Sequence, residues 1–229
     1  MEPLDLDAIA SLLRSPQSRD RLQGLAHLRH VDAAQAFPLV VTVLYDLNLP
    51  VRSYAIALLA ENPTPECYNL LLDLMRHDPD YAARADAAAA LGVLGQTEAI
   101  DALVQAFNAD SSWLVQFSAI VSLGNLQDLR AQSTLQQALT HPVAIVQMAA
   151  ISALGELGDR ESVDLLLEFV ASDDWFVRQR LAGALGNLPT EKSIAALKYL
   201  QKDTNAHVAQ TADFAIAQIQ DHPDSASGS

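Results

Sequence analysis

A pattern recurs along this chain every 31 or 32 residues, anchored at Val51, Ala83, Val115, Val146, Val177 and Val208. One position past the anchor stand Arg52, Arg84, Gln116, Gln147, Arg178 and Ala209. Four past it come Ala55, Ala87, Ala119, Ala150, Leu181 and Ala212; eight past it Leu59, Leu91, Leu123, Leu154, Leu185 and Ile216. The ninth position is small throughout: Ala60, Gly92, Gly124, Gly155, Gly186 and Ala217. A degraded copy starts at Asp20, with Arg21, Gly24 and Leu28 in register. A period of this length specifies a repeat array, in which each unit buries its apolar face against its neighbours.

Each period holds two helical segments. The second, helix B, is expected to start about two residues before the anchor, and its positions 0, +4, +8 and +11 share one face at 3.6 residues per turn. Asn48, Asp80, Ser112, Asp174 and Asn205, three before the anchor, are good N-cap types. Asp46, Asp78, Asp110 and Asp203, five before it, place carboxylates where the helix dipole favours them. Helix A is expected over 4–13, 35–46, 66–76, 98–108, 131–140, 161–171 and 190–201, with a bend at Pro38. Gly95 and Gly158 read as helix terminators. The expectation is an all-α, right-handed superhelix of about seven helix pairs, with helices B on its concave side. It forms one domain over 1–220, and the small polar residues of 221–229 read as a disordered tail.

Charge and cysteine usage narrow the function. With 28 acidic against 14 basic residues, net −14, the chain does not attract a nucleic-acid backbone or an anionic lipid surface by its field. The acidic balance serves solubility, or a preference for basic or neutral protein surfaces. No apolar run reaches membrane-span length and no secretory leader pattern is seen, so a soluble, non-secreted protein is expected. The single Cys67 rules out an internal disulfide.

The segment Asp173-Asp174-Trp175-Phe176-Val177-Arg178, continuing to Leu185 and Gly186, resembles a HEAT repeat of the subclass found in phycobilin lyases. The segment Asp78-Pro79-Asp80-Tyr81-Ala82-Ala83-Arg84, ending at Leu91 and Gly92, is a second match, and the resemblance covers roughly residues 15 to 220. It implies a phycobilisome degradation factor in the cyanobacterial cytoplasm, at phycobilisomes on the thylakoid surface. Such a protein binds phycobiliproteins (phycocyanin, allophycocyanin) and promotes detachment of their bilin chromophores. It implies no tightly bound cofactor, with phycocyanobilin as a ligand, and a lyase-like activity of the chromophore-detaching kind. A non-catalytic protein-binding scaffold, and a subunit of a bilin-attaching lyase, are the alternatives.

Candidate site residues follow from the register. Tyr81, Trp113 and Trp175 hold the same position in the first turn of helix B, and Phe117 lies one turn beyond Trp113. Equivalent positions of a solenoid stack into a row. Such a row beside Arg84 and Arg178 suits a flat tetrapyrrole, whose rings stack while guanidinium groups pair with its propionates. It equally suits a protein hot spot, or plugs between helix pairs. Arg52, Arg84 and Arg178 also have a structural reading, pairing with an Asp of an adjacent turn such as Asp46, Asp78 or Asp110. Asp110 and Asp174 are the candidate proton-transfer carboxylates. His27 and His30 share a helix face without further ligands, and no metal site is expected. Cys67, beside Glu66, is expected to be buried and inert.

Overall fold

All seven B helices begin two residues before their anchor. In the computed structural model, which describes residues 5–221, they are α2 (Ser18–Leu28), α4 (Leu49–Glu61), α6 (Tyr81–Leu94), α8 (Trp113–Leu126), α10 (Ala144–Leu157), α12 (Trp175–Gly186) and α14 (Ala206–Asp221). Their A partners are α1 (Leu6–Leu13), α3 (Ala33–Val41), α5 (Cys67–His77), α7 (Ile100–Ala109), α9 (Gln132–Ala138), α11 (Val163–Leu166) and α13 (Glu191–Leu200). The described residues contain no strand, and the fold class is an all-α superhelix of helix pairs. The chain divides into two compact units, Met1–Ser122 and Leu123–Ser229, with the division inside α8. Asp221, the first residue of the expected tail, closes α14 as a helical residue; the rest of that tail lies outside the described residues.

Side-chain caps fix three of these starts, while the expected cap Asn48 makes no side-chain cap bond to α4. Asp80, Asp174 and Asn205 each accept a hydrogen bond from the backbone N–H two residues on, at 2.9 Å. Such a bond satisfies one of the orphan donors of a first turn. Asp46, Asp78, Asp110 and Asp203 accept in turn from the N–H of the cap residue, each at 2.8 Å. His141 takes over this duty in the fifth repeat, its Nδ1 accepting from Val143 N–H at 3.1 Å. Gly95 and Gly158 end α6 and α10 at φ +68° and +74°, the left-handed conformation glycine adopts without Cβ strain. Gln127 ends α8 at φ +49° without that freedom.

Packing within each unit rests on the +8 and +9 positions. Leu59, Leu91, Leu123, Leu154 and Leu185 are buried. The neighbouring glycines permit backbone approach. A Cβ on Gly155 would lie 2.7 Å from Ala184 Cα, and one on Gly124 2.7 Å from Ala153 Cβ. The partner is each time the +7 residue of the next helix B. In the first unit Ser122 fills that position against Gly92, and its hydroxyl donates to Ala88 O at 2.9 Å.

Helices A are less regular than their sequence spacing suggests. α3 ends at Val41 instead of running to 46, three residues after Pro38, and Thr42 to Leu44 continue in tighter i−3 hydrogen bonds. α11 spans four residues before a tight turn over Leu167–Phe169. Beyond this turn, Ser172 O accepts from Arg178 Nη1 at 2.6 Å.

Candidate functional site

The arginine ladder is a repeat-to-repeat clamp. Arg84 donates through Nη1 to Asp78 O of its own turn at 2.9 Å, and through Nε and Nη2 to both carboxylate oxygens of Asp110 at 2.7 and 3.1 Å. Arg178 repeats this with Ser172 O and, at 2.6 and 2.9 Å, with Asp203. Arg21 pairs with Asp46 at 2.6 Å, and Arg52 approaches Asp78 at 3.5 Å. Each guanidinium thus ties its own inter-helix turn to the Asp of the following one. Where position +1 is glutamine, at Gln116 and Gln147, the following repeat carries His141 or Ser172 in place of that Asp. Gln116 keeps the first half of the clamp, donating to Asp110 O at 3.1 Å.

This geometry assigns Arg84 and Arg178 to the framework, and with them Asp110. Burial opposes ionisation of Asp110, but the Arg84 hydrogen bonds, the Ser112 N–H and the Arg84 charge hold its carboxyl below the usual range. A carboxylate with both oxygens so engaged is not available to accept a further proton at neutral pH. Hydrogen bonds from Arg178 hold Asp203 low in the same way. Asp174 differs: it is exposed, and one oxygen caps α12.

The aromatic candidates are on the surface. Tyr81 is 55%, Trp113 47%, Trp175 39% and Phe176 37% exposed, so none of them plugs the core. Phe117 is half-buried. Tyr81 and Trp113 begin the B helices of consecutive repeats in the first unit. In the second unit Trp175 gathers further partners. Its ring meets Phe176 edge-on at 5.3 Å and lies 5.7 Å from the His207 ring at 31°. The Arg180 guanidinium stands 5.2 Å from the Phe176 ring centre, a cation–π distance.

His207 and Arg180 were not legible as site residues from motif spacing. The available signal was the register: position −2 of one repeat falls beside position −1 of the next, which is how Trp175 meets His207. Arg180 stands at +3, where the other repeats carry Tyr54, Asp86, Ser118, Ala149 and Thr211. Cys67 is fully buried, and its sulfur accepts from Thr64 N–H at 3.3 Å, out of reach of an incoming chromophore. The described residues bring no three His, Cys, Asp or Glu side chains together in a way that could hold a metal. No helix among them is long and apolar enough to cross a membrane.

The repeated helix pairs have a counterpart among known families. A model of HEAT repeats matches residues 37–124, 102–185 and 131–217. The chain belongs to the HEAT-repeat family. Among solved structures, the complex of CpcE and CpcF of phycocyanin lyase from Nostoc sp. PCC7120 is similar at 22% identity, with TM-score 0.59, covering 94% of this chain and 95% of that one. Kap95p, in a complex with RanGDP, has TM-score 0.65 at 14% identity, covering 96% of this HEAT chain but 37% of its own. An engineered protein is similar at 22% identity and TM-score 0.54, covering 95% and 99%. At these identities the likeness concerns the fold. No curated protein matches this chain in sequence.

Proposed function

We propose that this HEAT-repeat protein binds phycobiliproteins and promotes detachment of their bilin chromophores, in the manner of a phycobilisome degradation factor resembling NblB of cyanobacteria. The observation that carries the reading is the exposure of Tyr81, Trp113, Trp175 and Phe176 at the starts of B helices. Large aromatics left half in water on a monomer's surface are the residue types that dominate protein and ring recognition. A fold likeness to a phycocyanin lyase complex running over almost the full length of both chains supports this choice of partner. The acidic surface, net −14, disfavours nucleic acid and anionic lipid as competing partners.

Detachment reverses a thioether addition. The carbon–sulfur bond breaks with its electron pair going to the cysteine sulfur, and a proton leaves the ring carbon next to the broken bond. Aromatic side chains that hold the bilin ring away from its phycobiliprotein pocket lower the barrier by exposing that bond. Asp174, exposed and one residue from Trp175, is our candidate to take the proton, since Asp110 is committed to Arg84.

A binding-only scaffold is the second reading. Its support is that Arg84, Arg178 and Asp110 all serve the clamp, leaving Asp174 as the single remaining proton acceptor of the candidate set. Mixing the protein with holo-phycocyanin, separating by size and recording red absorbance separates the two. Co-migration with falling absorbance supports detachment; co-migration with unchanged absorbance supports the scaffold. Absence of co-migration refutes both.

A further inference from the structure

The turn that leads into α12 differs from the other turns of the array. Four positions before the anchor stand Pro16, Leu47, Pro79, Ser111, Pro142, Asp173 and Thr204, so this turn alone carries a carboxylate there. Three before it Asp174 caps α12, and two before it Trp175 opens the helix. The start of α12 therefore needs nothing from Asp173. Its side chain is exposed, and among the described residues it accepts no hydrogen bond and pairs with no cation. Arg178 Nη1 donates to the backbone carbonyl of Asp173 at 3.3 Å, while its Nε and Nη2 go to the Asp203 carboxylate.

Beside this carboxylate lies an aromatic surface that the core does not use, formed by the exposed rings of Trp175 and Phe176. Phe176 already has the Arg180 guanidinium near its ring, so this surface holds one cation from within the chain. The indole is the better cation acceptor of the two rings, and its ring neighbours are Phe176 and His207. Charge at the turn follows from the same contacts. Arg178 and Asp203 cancel each other in the clamp. Asp173 and Asp174, set against Arg180, leave the turn net negative beside an open indole.

We infer that this turn is a docking point for an arginine side chain of a partner protein, its guanidinium stacked on the Trp175 indole and its N–H groups donating to the Asp173 carboxylate. The inference rests on the reading of these aromatics as a recognition surface, and it names the chemistry that the surface takes. Charge complementarity selects the occupant. An acidic segment is repelled by Asp173 and Asp174. An apolar segment that covered Trp175 would strip water from the Asp173 carboxylate and give it no partner, which is costly. A guanidinium is preferred to an ammonium because it is planar and weakly hydrated, and it stacks on a ring while its donors still reach a carboxylate. Tryptophan and arginine are also the residue types that carry most binding energy at protein interfaces. Asp174 keeps its bond to the α12 cap and stays free for the proton.

The test uses the isotope-labelled full chain and follows its two indole N–H signals by nuclear magnetic resonance, with Trp175→Phe to assign them. The probes are a short arginine-bearing peptide blocked at both ends, its lysine counterpart and its citrulline counterpart, which keeps the shape of arginine without the charge. Saturable movement of the Trp175 signal with the arginine peptide is expected. The citrulline peptide should bind about tenfold more weakly, having lost both the ring–cation attraction and the ion pair. Asp173→Asn, which alters no hydrogen bond of the fold, should weaken the arginine peptide about threefold, the scale of one exposed ion pair. The Trp113 signal should stay in place, because its turn carries Ser111 and Ser112 and its Asp110 is tied to Arg84. Equal movement of both indoles would report only the field of an acidic chain and overturns the inference. So does a citrulline or lysine peptide that binds as tightly as the arginine one, an Asp173→Asn affinity equal to the parent's, or no movement at all. Co-migration with holo-phycocyanin is measured separately. Co-migration without an arginine-selective shift sinks the docking point alone, and an arginine-selective shift without co-migration sinks the proposed partner alone.

Discussion

Gly155 and Gly183 stand in adjacent B helices of one unit, and the same substitution should move stability in opposite directions. In both, Gly→Ala lowers the conformational entropy of the unfolded chain and improves helix propensity, a gain of about 0.5–1 kcal/mol. At Gly183 the new methyl meets nothing within 4 Å, so that gain should appear whole. At Gly155 the methyl falls 2.7 Å from Ala184 Cα, 2.8 Å from Ala184 Cβ and 3.2 Å from Ala184 O. Two of these atoms are backbone and none can rotate away, so α10 and α12 must part by most of an ångström. Overpacking of this kind costs about 1–3 kcal/mol, and a rigid backbone neighbour puts it near the top of that range. The net loss should be about 2 kcal/mol. For a chain of this size roughly 2–4 °C of melting temperature corresponds to 1 kcal/mol. Thermal unfolding followed by far-ultraviolet circular dichroism should therefore show Gly183→Ala up by about 1–4 °C and Gly155→Ala down by about 4–8 °C. Shifts of the same sign would refute the claim that the +9 glycines exist for helix–helix approach.

Leu154→Ala, in a fully buried +8 position, should cost about 2–5 kcal/mol in urea unfolding. Gln127→Gly should stabilise by about 1 kcal/mol, because it relieves a left-handed residue at φ +49°. Asp110 and Asp203 have carboxyls held below their usual range by Arg84 and Arg178. Their contribution is therefore complete above pH about 4, the unfolded value, and is lost as pH falls through the lower folded value. Acid titration of stability should show a loss over that window that is smaller in Arg84→Met, which is itself less stable at pH 7.

The pattern of 31 or 32 residues carried the start of every B helix, because the anchor and, in most repeats, a cap residue or preceding Asp are sequence-local. It carried the Arg–Asp clamps too, since Arg84 and Asp110 belong to the same register one repeat apart. The small +7 residue that receives each +9 glycine was not legible: Ala153 and Ala184 look like ordinary helix formers until the neighbouring backbone is in place. The short α11 and early-ending α3 fall short of their expected spans because apolar spacing fits a tight i−3 turn nearly as well as a helix. At the site, Trp175 was found from its register, whereas Arg180 and His207 acquire meaning only through the Phe176 and Trp175 rings they approach.

The central claim is that the exposed aromatics at the B-helix starts recognise a phycobiliprotein, and the double variant Trp113→Ala/Trp175→Ala tests it. Both indoles are about half exposed, so the comparison is made at a temperature where parent and variant are each folded, as shown by far-ultraviolet circular dichroism and a cooperative melt. Affinity for holo-phycocyanin, measured by isothermal titration calorimetry, should fall by about thirtyfold or more, the equivalent of 2 kcal/mol for aromatic hot spots. An affinity equal to the parent's, in a variant that melts like the parent, would contradict the account.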